Sequence, residues 1–359
     1  LTDTLGRIVA PPEMVEAGSF SEGLMRIKSG GKWGFIDATG LSAIPAAYDS
    51  VGDFSEGLAA VKQGEKWGFI DKTGKMLVSP AYESVWPFSK GLAAIQKGEK
   101  WGLINNSGQI SLEPDYDALW HSFNSTLYRM KADTLWGLAD TSGRLLIAPA
   151  YDLPGDFEHD LAWVSRGDKL GLIHASGREL IKPKYDEVSA FSEGFATIML
   201  DSLYGAVDST GAEIIPPHYE EMGSFSEGLL WYGKNGKYGF LKMDETIVVP
   251  SDYDVAGDFS EGRALVGTEE KSASSEAETV IKYGFIGLDG AVAIPLQYDE
   301  ARNFTEGLAP VKQKGKYGYI DRQGVVVIDF QFDGAGDFQN GFADVQQDES
   351  WVKINKSGH

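Results

Sequence analysis

The chain repeats one short segment at a nearly constant interval. The segment KWGFID, at Lys66–Asp71, also occurs at Lys32–Asp37 and returns as KWGLIN at Lys100–Asn105 and as KYGYID at Lys316–Asp321. Its Trp position is marked ten times, by Trp33, Trp67, Trp101, Trp136, Leu170, Tyr204, Tyr238, Tyr283, Tyr317 and Trp351. The intervals are 34 or 35 residues, apart from one of 45. Only stacked, equivalent units maintain such a rhythm, so we assign these marker residues to packing within a repeat.

The residue content of the repeat predicts β-structure. A period of 34 residues is also that of tetratricopeptide helix pairs, but the chain contains 44 Gly, and each glycine inside a helix costs about 1 kcal/mol relative to alanine. In the second repeat we expect strands at 58–62, 66–71 and 75–79, a tight turn at 71–74 and a short fourth strand at 82–86. Both faces of these strands are apolar, so each small sheet should be sandwiched between its predecessor and its successor.

The two ends of the chain carry complementary parts of a repeat. Residues 1–23 match the second half of a unit, and residues 341–359 match the first half. An N-terminal half-unit that completes a C-terminal one is the arrangement that closes propellers. We therefore expect one array of ten β-repeats over residues 1–359, closed as a propeller-like ring. An open β-solenoid or superhelix is the alternative, because propeller blades take about 40 to 45 residues.

One insertion interrupts the rhythm. The 45-residue interval before Tyr283 adds 11 residues to the usual 34, within the Ser, Glu and Ala-rich segment at 267–280. Such a composition is typical of surface loops. We expect an exposed loop at residues 268–279, at the tip of a hairpin.

Composition excludes several classes of protein. The formal net charge is -21, and without clustered Lys and Arg we expect no nucleic-acid partner. No stretch approaches the roughly 20 apolar residues of a membrane span, so we expect no membrane insertion. Cysteine is absent, which removes disulfides and thiolate chemistry and leaves the compartment open. Because the chain begins with Leu1, a removed signal peptide is an option, and we favour an extracytoplasmic location over the cytoplasm.

The repeat resembles a known family. KWGFIDKTG at 66–74, preceded by FSEGLAAV and followed by a Pro-x-Tyr-Asp-like segment, is similar to the bacterial WG repeat family, and the resemblance covers essentially the whole chain. It implies a β-rich repeat module with a binding or scaffolding role, and it supplies no catalytic residues. The sequence departs from the pattern where Leu170 or Tyr replaces the Trp and where Val352 replaces the Gly.

Motifs of catalysis or metal binding are not found in the sequence. The five His residues show no ligand spacing, so we expect no metal and no cofactor. Glutamate recurs at one position in six repeats, such as Glu56, and aspartate recurs at a second position in seven, such as Asp49. Catalysis needs one or two unique carboxylates, whereas a residue required in every unit usually caps a turn. We interpret these acids as structural, with cation binding as the alternative, and expect no enzyme activity.

The repeat pattern is broken in the fourth and fifth units, which is where we place the candidate binding residues. Trp120, His121, Arg129, Trp163 and Arg166 stand where other units have Val, Gly, Ala or Lys. Trp and Arg are favoured at binding hot spots, although bulky packing residues are the alternative. We predict a non-enzymatic scaffold that binds another protein. A carbohydrate-binding or glycan-cleaving protein of the cell envelope is the second hypothesis, and one part of a larger envelope protein is the third.

Overall fold

The structure is a computed structural model that describes residues 14–121, 127–272 and 275–359. Every regular element in these ranges is a β-strand, which confirms the all-β prediction. In the described part of the chain no helix is long and apolar enough to cross a membrane. The chain divides into two compact units, N-terminal and C-terminal, between Pro183 and Lys184. Residues 1–13 of the expected N-terminal half-unit lie outside the described ranges.

The strands form ten small antiparallel sheets, each following the chain order. The first five sheets, of four strands each, contain in turn β1 Met14–Ser21, β2 Leu24–Ser29, β3 Lys32–Asp37, β4 Ser42–Tyr48; β5 Ser50–Val51, β6 Leu58–Gln63, β7 Lys66–Asp71, β8 Met76–Tyr82; β9 Ser84–Val85, β10 Leu92–Lys97, β11 Lys100–Asn105, β12 Ile110–Tyr116; β13 Ala118–His121, β14 Leu127–Ala132, β15 Leu135–Asp140, β16 Leu145–Tyr151; β17 Leu153–Pro154, β18 Leu161–Arg166, β19 Lys169–His174 and β20 Glu179–Tyr185.

The other five sheets repeat this order, and the tenth has three strands in the described part of the chain. They contain β21 Glu187–Val188, β22 Phe195–Leu200, β23 Leu203–Asp208, β24 Glu213–Tyr219; β25 Glu221–Met222, β26 Leu229–Lys234, β27 Lys237–Lys242, β28 Ile247–Tyr253; β29 Val255–Ser260, β30 Arg263–Ser272, β31 Ser275–Ile286, β32 Val292–Tyr298; β33 Glu300–Ala301, β34 Leu308–Gln313, β35 Lys316–Asp321, β36 Val326–Phe332; β37 Gly334–Ala335, β38 Phe342–Gln347 and β39 Ser350–Asn355.

The second sheet confirms the predicted hairpin and corrects the strands that follow it. Strands β6 and β7 pair from Leu58 opposite Asp71 to Gln63 opposite Lys66. The third strand, β8, continues to Tyr82, three residues beyond the predicted end, because a bulge lets it continue past Pro80 at the sheet edge. Of the predicted fourth strand only β9 forms, and it belongs to the third sheet, where it pairs with β10.

A bulge in the third strand explains the glycine of the repeat. Trp67 pairs with Tyr82 and Phe69 with Val78, so four residues of β8 span two of β7. A Cβ on Gly68 would lie 2.3 Å from the backbone oxygen of Val78, well inside contact distance. The equivalent glycine of each of the first nine sheets meets the same obstacle. Val352 stands at this position in the tenth sheet, whose described part has no strand equivalent to β8 to obstruct it.

Successive sheets share one design of core, as the apolar faces predict. Phe69 and Tyr82 of the second sheet pack against Phe88 and Ile95 of the third. On its other face Ile70 packs against residues of the first sheet. The same edge-to-face ring contact recurs between neighbouring sheets at centroid distances of 4.8 Å for Phe35–Phe54 and 4.9 Å for Phe69–Phe88 and Tyr319–Phe338. Within each unit, burial on both faces therefore stabilises each sheet through its neighbours.

Tyr238 and Tyr317, two of the tyrosines at the marker position, each donate a hydrogen bond to a glutamate of the same sheet. The hydroxyl of Tyr238 donates to Glu221 at 3.0 Å, and that of Tyr317 donates to Glu300. The glutamate lies 17 residues before the tyrosine, at a position that holds serine in the second and third sheets, whose marker is Trp. Burial and then the carboxylate of Glu300 raise the pKa of Tyr317 to about 12. The marker tyrosines Tyr238 and Tyr317 are thus each held by a hydrogen bond to a carboxylate of the same sheet.

The insertion in the eighth sheet lengthens a hairpin, where the sequence analysis expected a loop. Strands β30 and β31 stay paired from Thr268 opposite Lys282 to Lys271 opposite Thr279. Residues 269–271 are exposed, as expected. The difference arises because Thr279 and the Val-Ile pair after it are β-branched and fit an extended ladder.

Candidate functional site

The recurring glutamate of the FSEGL segment caps a turn of the next repeat. The carboxylate of Glu56 accepts the backbone N–H groups of Lys90, at 2.6 Å, and Gly91, at 2.8 Å. The hydroxyl of Ser55 beside it donates to the carbonyl of Phe88 at 2.7 Å. The side chains of one repeat therefore satisfy backbone groups of the following one, which supports a structural role for this acid.

The recurring aspartate after the tyrosine holds the hairpin tip. Asp49 accepts the Lys32 ammonium with one oxygen and the N–H of Gly64, at 2.8 Å, with the other. The hydrogen bond from Lys32 is the main cause that lowers the pKa of Asp49. Within residues 14–121, 127–272 and 275–359, no group of three or more His, Asp or Glu side chains could hold a metal ion.

A third acid position closes the turn after β7. The Oδ1 atom of Asp71 accepts the N–H of Thr73 at 2.9 Å, its hydroxyl at 2.6 Å and the N–H of Lys75 at 3.0 Å. The hydrogen bond from the Thr73 hydroxyl is the first cause that lowers the pKa of Asp71. In the third sheet Asn105 makes the same three bonds with an amide oxygen.

The presence of Asp71 in one turn and Asn105 in the equivalent turn predicts how each turn responds to acid. Because the pKa of Asp71 is lower in the folded chain, its stabilisation is complete above the unfolded pKa of about 3.9 and is lost as the pH falls through the lower folded value. We expect Asp71→Asn to keep the turn at neutral pH and to abolish this acid loss. Amide exchange protection at Lys75, measured down to about pH 2, tests this, with the Asn105 turn as internal control. Equal loss of protection in both proteins would contradict it.

A pair of facing residues at the start of each sheet is the most variable part of the repeat. We call it the edge pair: the third residue of the second strand and the residue that faces it from the first strand or just after it. In the second sheet, the N–H of Gly52 donates to the carbonyl of Ala60 at 2.9 Å. The ten edge pairs are Gly18/Arg26, Gly52/Ala60, Trp86/Ala94, Trp120/Arg129, Gly155/Trp163, Ser189/Thr197, Gly223/Trp231, Gly257/Leu265, Arg302/Pro310 and Gly336/Asp344.

Most edge pairs join one large and one small residue. A Cβ on Gly18 would lie 2.5 Å from Nε of Arg26, and one on Gly223 would lie 2.2 Å from Nε1 of Trp231. In these two pairs the large side chain therefore lies across the glycine. The pair Trp120/Arg129 departs from this rule because both members are large.

Three of the five predicted binding residues lie in two consecutive edge pairs. Trp120 is 59% exposed. Arg129 opposite it donates to the carbonyl of Gly155 at 2.7 Å and to Asp156 at 2.8 Å. Gly155 in turn faces Trp163. Arg129 thus connects the fourth and fifth sheets, and Trp120 is left at the surface.

The structure places the other two predicted residues apart from this group. The ring of His121 packs on Tyr128, with ring centroids 4.6 Å apart, beside the core between the third and fourth sheets. Arg166 is exposed at the hairpin tip, opposite Lys169. It lies three residues from Trp163 along β18, so the two side chains leave opposite faces of the strand.

Trp86 is a further candidate residue that the sequence analysis missed. It is 39% exposed and occupies the edge position one repeat before Trp120. Its ring lies 5.6 Å from that of Trp101. A superposition of the repeats would have found it, since both Trp86 and Trp120 align with Gly52.

The fold and the markers define a class of protein, an all-β chain of tandem antiparallel sheets. Ten matches to the family model of the WG containing repeat cover the chain, at residues 2–33, 33–67, 67–101, 101–131, 136–169, 171–204, 204–238, 238–271, 283–317 and 317–351. The chain belongs to this family, which confirms the resemblance. A comparison with curated proteins gives no match.

Solved structures overlap with this chain only weakly. A eukaryotic initiation factor shows 10% identity and a TM-score of 0.32 over 85% of this chain and 95% of its own. The extracellular domain of a one component system from B. thetaiotaomicron shows 9% identity and a TM-score of 0.32 over 94% of this chain and 57% of its own. The extracellular domain of a hybrid two component system from that organism shows 10% identity and a TM-score of 0.26, over 92% and 60%. The chain spans less than two thirds of these two domains.

Proposed function

We propose that this protein is a non-enzymatic binding module for another protein, and that Trp86 and Trp120 form the centre of its binding surface. The supporting observation is that two exposed tryptophans occupy equivalent edge positions on consecutive sheets. Six of the ten edge pairs have glycine at this position, so the fold does not require a large side chain there. Exposed aromatic surface of this kind is typical of interaction sites.

The packing alternative explains only one of the two tryptophans. Trp86 faces the small Ala94 and contacts Trp101, so part of its ring fills space within the sheet. Trp120 faces Arg129, which is itself large and hydrogen-bonded to the next sheet. No small neighbour accounts for Trp120, and its high exposure favours a partner outside the chain.

Replacing both tryptophans by glycine tests the proposal, because glycine is the usual residue at this position. With a protein partner captured by the wild-type chain, we expect the double variant Trp86→Gly/Trp120→Gly to bind at least about 30-fold more weakly, as loss of hot-spot residues does. Leu153→Ser is the matched control, since Leu153 is 67% exposed and serine stands at its position in the second and third sheets. Titration calorimetry measures both affinities, and circular dichroism checks the fold.

Three outcomes would contradict this function. Unchanged partner affinity in the double variant removes the tryptophan surface. Binding of polysaccharides that depends on Trp86 and Trp120 supports the glycan alternative, because sugar rings also stack on exposed aromatic faces. Turnover of a polysaccharide that is abolished by a single carboxylate substitution overturns the non-enzymatic assignment.

We also propose that the array closes as a ring, through a strand that pairs with β39. Of the expected N-terminal half-unit 1–23, Met14–Ser21 already pairs with β2 in the first sheet and is not available to complete the tenth. At Val352, a strand in the usual register would meet the obstacle that keeps the other nine positions glycine, where a Cβ would lie 2.3 to 2.6 Å from a backbone oxygen. A closing strand must therefore pair with β39 without the usual bulge. Energy transfer between dyes at residues 1 and 359 supports the ring if efficient and the open β-solenoid if absent.

An extracytoplasmic location is also a proposal. It follows from the cell-envelope interpretation of the sequence. Fractionation of the source cells, with a cytoplasmic enzyme as marker, tests it, and recovery with that marker would overturn it.

A further inference from the structure

A cavity of about 360 Å³ lies between the second and third sheets. Its walls are Gly52, Asp53, Phe54, Ser55, Ala60, Trp67, Val85 and Pro87. Ligand pockets typically span about 300–1,000 Å³. The cavity lies at the lower end of this range, which suits one long side chain better than an oligosaccharide.

An arginine of the chain itself fills the equivalent place between the first and second sheets. The guanidinium of Arg26 lies over the ring of Trp33, 5.9 Å from its centroid. Its Nη1 donates to the carbonyl of Val51 at 3.4 Å, and its Nε is 3.2 Å from the carboxylate of Asp53. Between the fourth and fifth sheets Arg129 plays the same part, with its bonds to Gly155 and Asp156.

The cavity has the walls of such an arginine site without its arginine. Ala60 stands at the position of Arg26 and Arg129 in their edge pairs. Trp67 is the marker equivalent to Trp33, and Val85 follows serine in β9 as Val51 does in β5. The space that a long side chain occupies elsewhere is open here because alanine ends at Cβ.

Charge and shape favour a cation in this space. The side chain of Asp53 lines the cavity and is 45% exposed, while its Oδ1 faces Arg26. Pro87 stands at the position that Asp53 and Asp156 hold in the two arginine sites, so the third sheet contributes no carboxylate to the cavity. The net charge of -21 attracts cationic segments in general. The ring of Trp67 suits a planar guanidinium better than an ammonium, because the guanidinium stacks on aromatic faces and donates in a fixed fork.

We propose that this cavity binds an arginine side chain of the protein partner, stacked on Trp67 and hydrogen-bonded to the edge of the third sheet as Arg26 is to the second. The inference rests on the proposed protein-binding function and adds to it the chemistry of the partner. The partner should present an arginine close to the residues that contact Trp86, since Trp86 lies between the cavity residues Val85 and Pro87.

Titration with N-acetylarginine amide, followed by NMR of the tryptophan indole groups, tests the inference. We expect a saturable shift of the Trp67 indole resonance, assigned through Trp67→Tyr, a residue that this position holds in four other repeats. N-acetylcitrulline amide has nearly the same shape without the charge and should bind at least about tenfold more weakly. Ala60→Arg restores the internal arginine and should abolish the shift, and Asp53→Asn should weaken binding several-fold.

The outcomes separate the inference from the proposed function. No saturable shift with the arginine probe, an equal shift with citrulline, or an undiminished shift in folded Ala60→Arg would each overturn the arginine site. If partner binding still depends on Trp86 and Trp120 in those cases, the protein-binding function stands alone. Should Ala60→Arg fail to fold, the citrulline comparison and Asp53→Asn on the wild-type background still decide the question.

Discussion

Gly68→Val is expected to disrupt the second sheet, because a Cβ at residue 68 would lie 2.3 Å from the oxygen of Val78 and 2.8 Å from the nitrogen of Pro80. Both obstacles are backbone atoms, so no side-chain rotation relieves them. We expect the local free energy of unfolding to fall by about 4 kcal/mol or more, at the upper end for single substitutions. Urea unfolding followed by circular dichroism, together with amide exchange across β7 and β8, measures the change.

The tenth sheet offers a natural control for this substitution. Val352 already stands at the glycine position, and the described part of its sheet has no strand equivalent to β8. Val352→Gly should therefore change stability by about 1 kcal/mol or less, mainly through backbone entropy. Similar effects of Gly68→Val and Val352→Gly would show that the crossing strand is not the reason for the glycine.

Phe54→Ala is the second substitution with a large expected effect. Phe54 is 2% exposed and packs edge-to-face on Phe35 of the preceding sheet, with centroids 4.8 Å apart. Truncation of a buried phenylalanine typically costs about 3–5 kcal/mol. Because neighbouring sheets stabilise each other, we expect exchange protection to fall in both the first and the second sheets.

Phe20 is the matched control for Phe54. It opens the equivalent segment of the first sheet, but it is 47% exposed. Phe20→Ala should cost about 1 kcal/mol or less, as most surface substitutions do. Comparable losses at the two positions would contradict the assignment of the core to the space between successive sheets.

Much of the fold could be predicted from the sequence because two periods coincide in it. The 34-residue period identifies stacked units, and the alternation of Trp67 and Phe69 with Ile70 places apolar groups on both faces of a strand. The third strand could not be delimited, because its bulge pairs Trp67 with Tyr82 and Phe69 with Val78. A bulge changes the register without any change of composition, and strand alternation alone does not reveal it.

The candidate site was less accessible to sequence reasoning. The sequence identifies Trp120, Arg129 and Trp163, because other repeats hold different residue types at their positions. Their grouping depends on cross-strand pairing and on the contact of Arg129 with the next sheet, neither of which composition shows. Trp86 was missed because Ser84 and Val85 before it match Ser50 and Val51 of the second repeat, so the departure is confined to one residue.

The cavity could not have been predicted from its own residues. It exists because Ala60 is small, and alanine is an unremarkable residue for a β-strand. Only the comparison with Arg26 and Arg129, which fill the equivalent places, indicates that the space beside Ala60 fits an arginine side chain. A structure with internal repeats thus serves as its own reference.

Because neighbouring sheets pack on each other in the same way along the chain, the number of repeats can change. In five pairs of neighbours, one sheet contributes an aromatic residue equivalent to Phe69 and the next contributes a phenylalanine equivalent to Phe88. In the other four sheets an aliphatic residue stands at the position of Phe69, namely Leu103, Leu138, Leu172 or Ala206. Duplication or deletion of one whole 34-residue segment would again place the apolar face of one sheet against the apolar face of the next. This holds for any in-frame breakpoint within the repeat. Variation in repeat number is therefore a mutation that this architecture tolerates better than many single substitutions in its glycines.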